Sequence, residues 1–510
     1  MPQPTEAAVK QAGTITRAQE ARLNLLRHRL DGWCVWPLLR MRATYALYGT
    51  ASAMSASATV SYSRRELWGL ALRDLARLAC TPQRCRIVIV TFSSYRTEKA
   101  QGRPKDCLFD DHASQWDDVI KIERINSRIL FEQNEQSVCP SRFSDAALNV
   151  LGSALHSRLP VAADVRRLAR ELTDDLHQYP AWRVFSYDAI CQQLSAFRRQ
   201  RRVWCAWFSR LGASVVLTDD GYNSHHVIAA ARASGAQVVE LQHGAFFESG
   251  PEYCWSEYAV AHRQWMPVPD RLLVYGQHWG EILGADSFWG DRVRIVGSQR
   301  IDEYRRRRST RQTDGCLLVF TTQGVSQPGI AKWVADLLSH TKDWSGLRVV
   351  IKLHPVADFA RESYLSMLPQ DARLKLVAGN EVPSTFELLS KADYHASISS
   401  TCHYDAVSLG ARTFVLPFPS HEWMGAMVRA GHAHLPSCPA EMANLMRQHL
   451  DQPLPEAISH YYFKSGATEN VAREIEALDG HFTRARAGAS NSASFGSPQA
   501  QPPVNAEGLR

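Results

Sequence analysis

The stretch ASVVLTDDGYNSHHVIAAARASGAQVVELQHG, Ala213 to Gly244, decides the fold. Two short apolar runs, Ala213 to Leu217 and Gln237 to Leu241, flank a small-residue helical segment, Ser224 to Ala233, that Gly235 stops. Parallel strands need a crossover of this length, so the stretch reads as a βαβ unit. Open parallel sheets hold ligands in the loops beyond the carboxyl ends of their strands. Here those loops carry Asp219, Asp220 and Gln242-His243-Gly244.

The alternation continues on both sides. Upstream, Arg86 to Phe92 is a β-branched run followed by the polar loop Ser93-Ser94-Tyr95, and Asp145 to Phe208 reads as helical and charge-rich. Downstream, Arg271 to Tyr275 and Arg292 to Val296 follow Pro267 and Pro269. A second series then runs through strands at Cys316 to Phe320, Leu347 to Leu353, Leu374 to Val377, Tyr394 to Ile398 and Thr413 to Leu416, with helices between. This predicts an α/β protein with doubly wound sheets. The expected division is a helical N-terminal region over 1–80, a first α/β domain over 81–275, a second over 276–455, a helical segment over 456–483, and a disordered tail over 484–510, rich in Ala, Gly, Ser, Pro and Gln.

Composition excludes several classes. With 510 residues, 45% hydrophobic and 21% charged, the chain is long enough for several packed domains. A net charge of +7, from 58 basic and 51 acidic residues, suits an acidic substrate but is too small and scattered for nucleic acid. No pair of the eleven cysteines has the two-residue spacing of a zinc or redox motif, which fits a reducing cytoplasm. Met1 to Gly13 lacks the apolar core of a secretory signal. Arg17, Arg22, Arg27 and Arg29 precede Trp33, Trp36, Leu38 and Leu39, a pattern open to two readings. One is a helix packed on its own domain; the other is an interfacial anchor making peripheral contact with the inner membrane.

Three strand ends carry polar groups suited to nucleotide-activated transfer: Gln242-His243-Gly244, Lys352-Leu353-His354-Pro355 and Ser399-Ser400-Thr401. His243 has the proton affinity of a general base at neutral pH. Asp219 and Asp220 compete for that role, or cap the next helix. Pro355 ends its strand and turns His354 out of the sheet, and strand alternation places Lys352 on the same face. Ser399, Ser400 and Thr401 precede a helix near His403, where hydroxyls and amides can hold phosphate without a metal, or serve as an ordinary cap. The pairs Asp110-Asp111, Asp117-Asp118 and Asp174-Asp175 read as surface or capping residues, and Arg305 to Arg308 as a solvated helix end. No Walker loop, Gly-x-Gly-x-x-Gly, zinc helix or nucleophile elbow occurs.

In their order, Glu240-Leu241-Gln242-His243-Gly244, Pro269 to Gly276, Val296-Gly297-Ser298-Gln299-Arg300, Ile351 to Pro355 and Ser397 to Thr401 with Gly410 resemble bacterial capsule and surface-polysaccharide glycosyltransferases of the GT-B fold. They also resemble the CDP-glycerol glycerophosphotransferases, in which an aromatic residue stands where this chain has Gln242. The resemblance implies two Rossmann-like domains facing a cleft, the first for the acceptor and the second for the nucleotide donor. It implies a base role for His243 or Asp220, contact of His354, Lys352, Ser399, Ser400, Thr401 and Gln323 with the donor, and acceptor contacts from Asp219, Gln242 and Gly244. The expected reaction is metal-independent transfer of a sugar from a nucleotide sugar to a surface or lipid-linked glycan, with no cofactor beyond the donor. A CDP-glycerol-type phosphotransferase, a nucleotide-sugar epimerase and a catalytically silent homologue stand as alternatives.

Overall fold

The structure, a computed structural model, describes residues 5–48, 63–79, 85–95, 98–100, 102–125, 132, 134–146, 148, 160–248, 250–284, 287–309, 315–355, 361–379, 381–450 and 452–478. The tail expected over 484–510 lies outside them.

The first sheet has seven strands: β1 (Ile87–Phe92), β2 (Val119–Arg124), β3 (Phe143–Ser144), β4 (Val215–Thr218), β5 (Gln237–Leu241), β6 (Arg271–Val274) and β7 (Val293–Ile295). Their order is β3-β2-β1-β4-β5-β6-β7, and every neighbouring pair is parallel. The second sheet has five: β8 (Cys316–Thr321), β9 (Leu347–Lys352), β10 (Leu374–Val377), β11 (Tyr394–Ser397) and β12 (Arg412–Val415), ordered β10-β9-β8-β11-β12 and again wholly parallel. Both orders are Rossmann-like, and both reverse direction beside their first strand, at β1/β4 and β8/β11. The GT-B-type α/β architecture expected from the sequence is present.

The strands form where β-branched and aliphatic residues are buried on both faces, as parallel sheets require. β1, β4 and β8 have nearly every residue buried. The crossover helix after β4, His225–Ala233, is buried along Val227 to Ala231, where its small side chains allow close packing.

Three features differ from the sequence reading. Strands β2 and β3 form in a stretch for which no strand was expected. Strand β7 pairs with β6 in the first sheet, although it lies beyond the border expected at 275/276. The connection between sheets is therefore the helix Gln299–Ser309 and the segment after it. The N-terminal region also packs on the first domain: Trp36 and Leu39 are buried with Trp182 and Phe185, and Trp36 lies 5.3 Å from Trp182 between ring centroids. Buried Glu20 accepts from Trp36 Nε1 at 2.6 Å and Arg40 Nε at 3.1 Å. Trp33 sits under the Arg232 guanidinium. Trp36 and Leu39 are thus packed in the core, as the first of the two readings of Trp33 to Leu39 expects, while Trp33 and Leu38 stay half-buried. No helix among the described residues is long and apolar enough to cross a membrane.

After the second sheet the chain returns to the first. Helix Ala467–Glu476 lays Val471, Ala472 and Ile475 against Leu241, Leu273 and Val296. The returning backbone passes so close to Gly276 and Gly297 that a Cβ there would lie 2.2 Å from the Tyr462 carbonyl oxygen and 2.1 Å from that of Lys464. Arg305 clamps the crossing by donating to the carbonyls of Ser408, Ser459 and Phe463. Arg308 donates to those of Ala392 and Gly410. The expected solvated run 305–308 is thus in part a set of interdomain ties.

Candidate functional site

Two relationships join the domains near the strand ends: Phe247, just beyond the His243 loop, packs on Trp423 with centroids 4.8 Å apart, and Tyr275 after β6 lies within the field of Asp405 in the second domain.

On the first-domain side, β4 delivers Asp219 and Asp220, and β5 delivers His243. Asp219 is fully buried, and neither carboxylate oxygen has a hydrogen bond of regular geometry, although the Tyr95 hydroxyl approaches it. Burial, followed by the negative charge of Asp220, raises its pKa well above the usual carboxylate range, with Arg124 opposing. Asp220 accepts from Asn223 Nδ2 at 3.1 and 3.2 Å.

His243 is half-buried, and its Nδ1 has no partner. Burial lowers its pKa; Asp220 and the Asp219 carbonyl oppose that shift. The ring stacks with Tyr222 at 6.1 Å, Tyr222 packs edge-on to Tyr253 at 5.7 Å, and the Tyr253 hydroxyl donates to Glu240. Glu240, buried near the end of β5, has its pKa pushed up to about 8 by burial. A neutral imidazole, its Nδ1 enclosed and without a hydrogen-bond partner, thus stands beside Asp219 and Asp220. That set can accept a proton from a hydroxyl.

Two acceptor-side expectations change. The Gln242 side chain is buried and bridges the loop, donating to the Gly244 carbonyl at 2.7 Å and accepting from the Tyr275 amide at 2.8 Å. It holds the β5 and β6 loops together, which leaves its amide little capacity for an acceptor. Gly244 has open space where a Cβ would lie, so no close approach requires glycine there.

On the second-domain side, β8, β9 and β11 bring Gln323, His354 and Ser399 to one edge. His354 is half-buried, and its amide donates to Thr322 Oγ1 at 3.1 Å. Gln323 Oε1 accepts from the Ser399 amide at 3.0 Å and its hydroxyl at 3.4 Å, locking the β8 loop to the β11 loop. Lys352 does not share the exposed face with His354. It is buried and donates to the carbonyls of Ala378 at 2.8 Å and Glu381 at 2.6 Å, so its ammonium tethers the β10 loop rather than meeting a donor. Ser400 Oγ accepts from the Cys402 amide, and the His403 amide donates to the Ser400 carbonyl. The helix start expected to offer open amides is largely closed by Ser400 itself. Thr401 remains exposed at that terminus.

Sequence reasoning missed several groups. Asp405, on the helix Cys402–Ser408, is raised by burial to about 7, with Arg300 opposing. Within the second domain, Thr413 Oγ1 lies 2.8 Å from His395 Nδ1 and 2.6 Å from His403 Nδ1, while Thr321 Oγ1 lies 2.9 Å from His395 Nε2. Burial holds both imidazoles neutral, His403 at about 3. Asp110, read from sequence as surface or cap, is buried in an ion triad with Lys121 and Asp106, and Thr91 also donates to Asp106 at 3.0 Å. Asp175 likewise is buried and pairs with His28 at 2.7 Å and Arg27 at 2.6 Å. The available signal was an ionisable residue inside a buried strand: Glu240 in β5, Lys121 in β2 and His395 in β11.

No protein-family model and no curated protein sequence matches the chain. Among solved structures it is similar to UDP-GlcNAc 2-epimerase from Neisseria meningitidis bound to UDP-GlcNAc, with 14% identity, 76% of this chain and 99% of that one covered, and a TM-score of 0.48. It is similar to the Methanocaldococcus jannaschii UDP-GlcNAc 2-epimerase, with 11% identity, 77% and 99% covered, and a TM-score of 0.48. It is also similar to Acinetobacter baumannii MurG, with 12% identity, 77% and 99% covered, and a TM-score of 0.43. At these identities the likeness is one of fold alone.

Proposed function

We propose that the chain is a metal-independent glycosyltransferase that moves a sugar from a nucleotide-activated donor to a hydroxyl of a surface or lipid-linked glycan. The observation that carries the proposal is His243: half-buried, held neutral, with an unpartnered Nδ1, at the end of β5 beside Asp220. The acceptor oxygen attacks the anomeric carbon, the bond from that carbon to the donor phosphate breaks, and the acceptor proton passes to His243. His354, with the Ser399 to Thr401 loop, receives the charge that develops on the departing nucleotide. Thr322, Gln323 and the buried His395-Thr413-His403 set hold those loops in register, so the donor side is preformed.

A second reading is favoured by the buried carboxyls. An epimerase must both remove and return a proton on the donor sugar, and burial raises the carboxyls of Asp219, Glu240 and Asp405, the last two to about 8 and about 7. One experiment separates the readings. Purified protein is incubated with a panel of nucleotide sugars and CDP-glycerol, with and without glycan acceptors. Nucleotide release that requires an acceptor supports the transferase. A new nucleotide sugar formed without acceptor supports the epimerase, transfer from CDP-glycerol alone supports the phosphotransferase, and no turnover with any donor rejects all three.

A further inference from the structure

The amino ends of β5, β6 and β7, the opposite end of the strands that carry the His243 and Tyr275 loops, frame a depression of about 250 Å³. Its charged lining is Arg263, Arg271, Arg292 and Arg294 with Asp270 and Asp291. Most of these groups are committed. Arg271 and Arg294 share Glu474 at 2.9 and 3.5 Å. Asp270 accepts from the Val238 amide at 2.9 Å and pairs with Arg232 at 3.4 Å. Arg263 donates to the Phe288 carbonyl.

Arg292 is different. Its half-buried guanidinium makes no hydrogen bond or ion pair with any described residue. Burial, then the neighbouring charge of Arg263, depresses its pKa, with Asp270 and Asp291 opposing; Arg232 is depressed in turn, with Arg292 among the causes. Five arginines, counting Arg232, meet three carboxylates, counting Glu474, so two positive charges are left without a counter-charge. Holding that excess half out of water is costly unless an anion completes it.

We propose that this depression is a second anion site, separate from the cleft, that takes a small phosphate-bearing anion through Arg292 and Arg263. A planar guanidinium with open N–H groups suits a phosphate oxygen pair. The volume admits a diphosphate or a sugar phosphate but not a polymer chain. Because β5 and β6 run from this depression to the catalytic loops, occupancy at one end bears on strands that position the other.

The test is calorimetric titration of the full chain with pyrophosphate at constant ionic strength, on the wild type, Arg292→Gln and His354→Ala. The expected result is binding that survives His354→Ala and weakens roughly tenfold or more in Arg292→Gln, the loss expected for one charge-assisted contact. Arg292→Gln should melt no lower than the wild type, because the removed charge had no partner. Should that variant fail to fold, Arg263→Gln replaces it with the same expectation. No pyrophosphate binding at fixed ionic strength, equal affinity in Arg292→Gln, or loss confined to His354→Ala would each overturn the proposal, the last by placing the anion in the cleft.

Discussion

Glu240 Oε2 lies where a side chain at residue 221 would begin: a Cβ added to Gly221 would sit 2.2 Å from it and 3.0 Å from Pro269 Cγ. Glu240 cannot swing aside, since it is buried and its other oxygen is held by Tyr253. Gly221→Ala should therefore destabilise the protein by about 1–3 kcal/mol, the range for overpacking a closed site. Gly244→Ala, with open space around its Cβ, should stay within about 0.5 kcal/mol. Denaturant unfolding of the two variants checks the pair, and equal losses would contradict the packing described around Glu240.

The same carboxyl makes stability depend on pH. Its folded pKa of about 8 lies above the ordinary value of 4.5, so the folded state binds the proton more tightly than the unfolded state does. Glu240 thus contributes stability that is fully present below pH 4.5 and is lost as pH rises towards 8. Glu240→Gln keeps the shape, removes the titration, and should flatten that part of the curve. Melting temperatures of both proteins between pH 5 and 9 measure the difference; parallel curves would refute a protonated Glu240.

If His243 is the base, its function requires the neutral imidazole, and burial has lowered its pKa. The acidic limb of kcat/KM should then fall below pH 6.5 rather than above it. His243→Ala should lower the chemical step by roughly 10²-fold or more while leaving nucleotide affinity within about twofold. Asp220→Asn should be milder. The reverse ranking, in variants that melt like the wild type, would hand the role to Asp220.

On the donor side, His354→Ala should weaken nucleotide binding and slow turnover together, because a phosphate contact is lost from ground and transition states alike. Lys352→Met should instead lower thermal stability, since it frees the carbonyls of Ala378 and Glu381 from their tether. Activity should survive EDTA. Loss on chelation that magnesium or manganese restores would require a metal in the mechanism.

Most strands were legible because they are compact runs rich in aliphatic residues, such as β1, β4, β8 and β9. β5 and β10 fall on the residues the pattern marks, eight further strands fall within one or two residues of them, and β2 and β3 were not marked at all. The loops were legible by place but not by role. Gln242, Gln323, Ser400 and Lys352 carry the polar groups a ligand would want, yet each spends them on a neighbouring backbone. Whether a polar side chain serves the loop or the substrate depends on which carbonyls and amides the turn leaves open, and that is set by neighbours about 30 to 75 residues away, as for Lys352 and Glu381 or Gln323 and Ser399. β7 was assigned to the wrong domain for a related reason. A three-residue strand carries too little pattern to say which sheet it joins.

The return of the last helix to the first sheet bears on synthesis. Leu241, Leu273 and Val296 receive their cover from Val471, Ala472 and Ile475, more than 170 residues later in the chain. A first domain emerging from the ribosome therefore waits, with one apolar face open, until the second domain has been made and the final helix has passed Gly276 and Gly297. A fragment ending near residue 309 would keep that face exposed, and a peptide spanning 461–478 supplied separately is the piece that would close it.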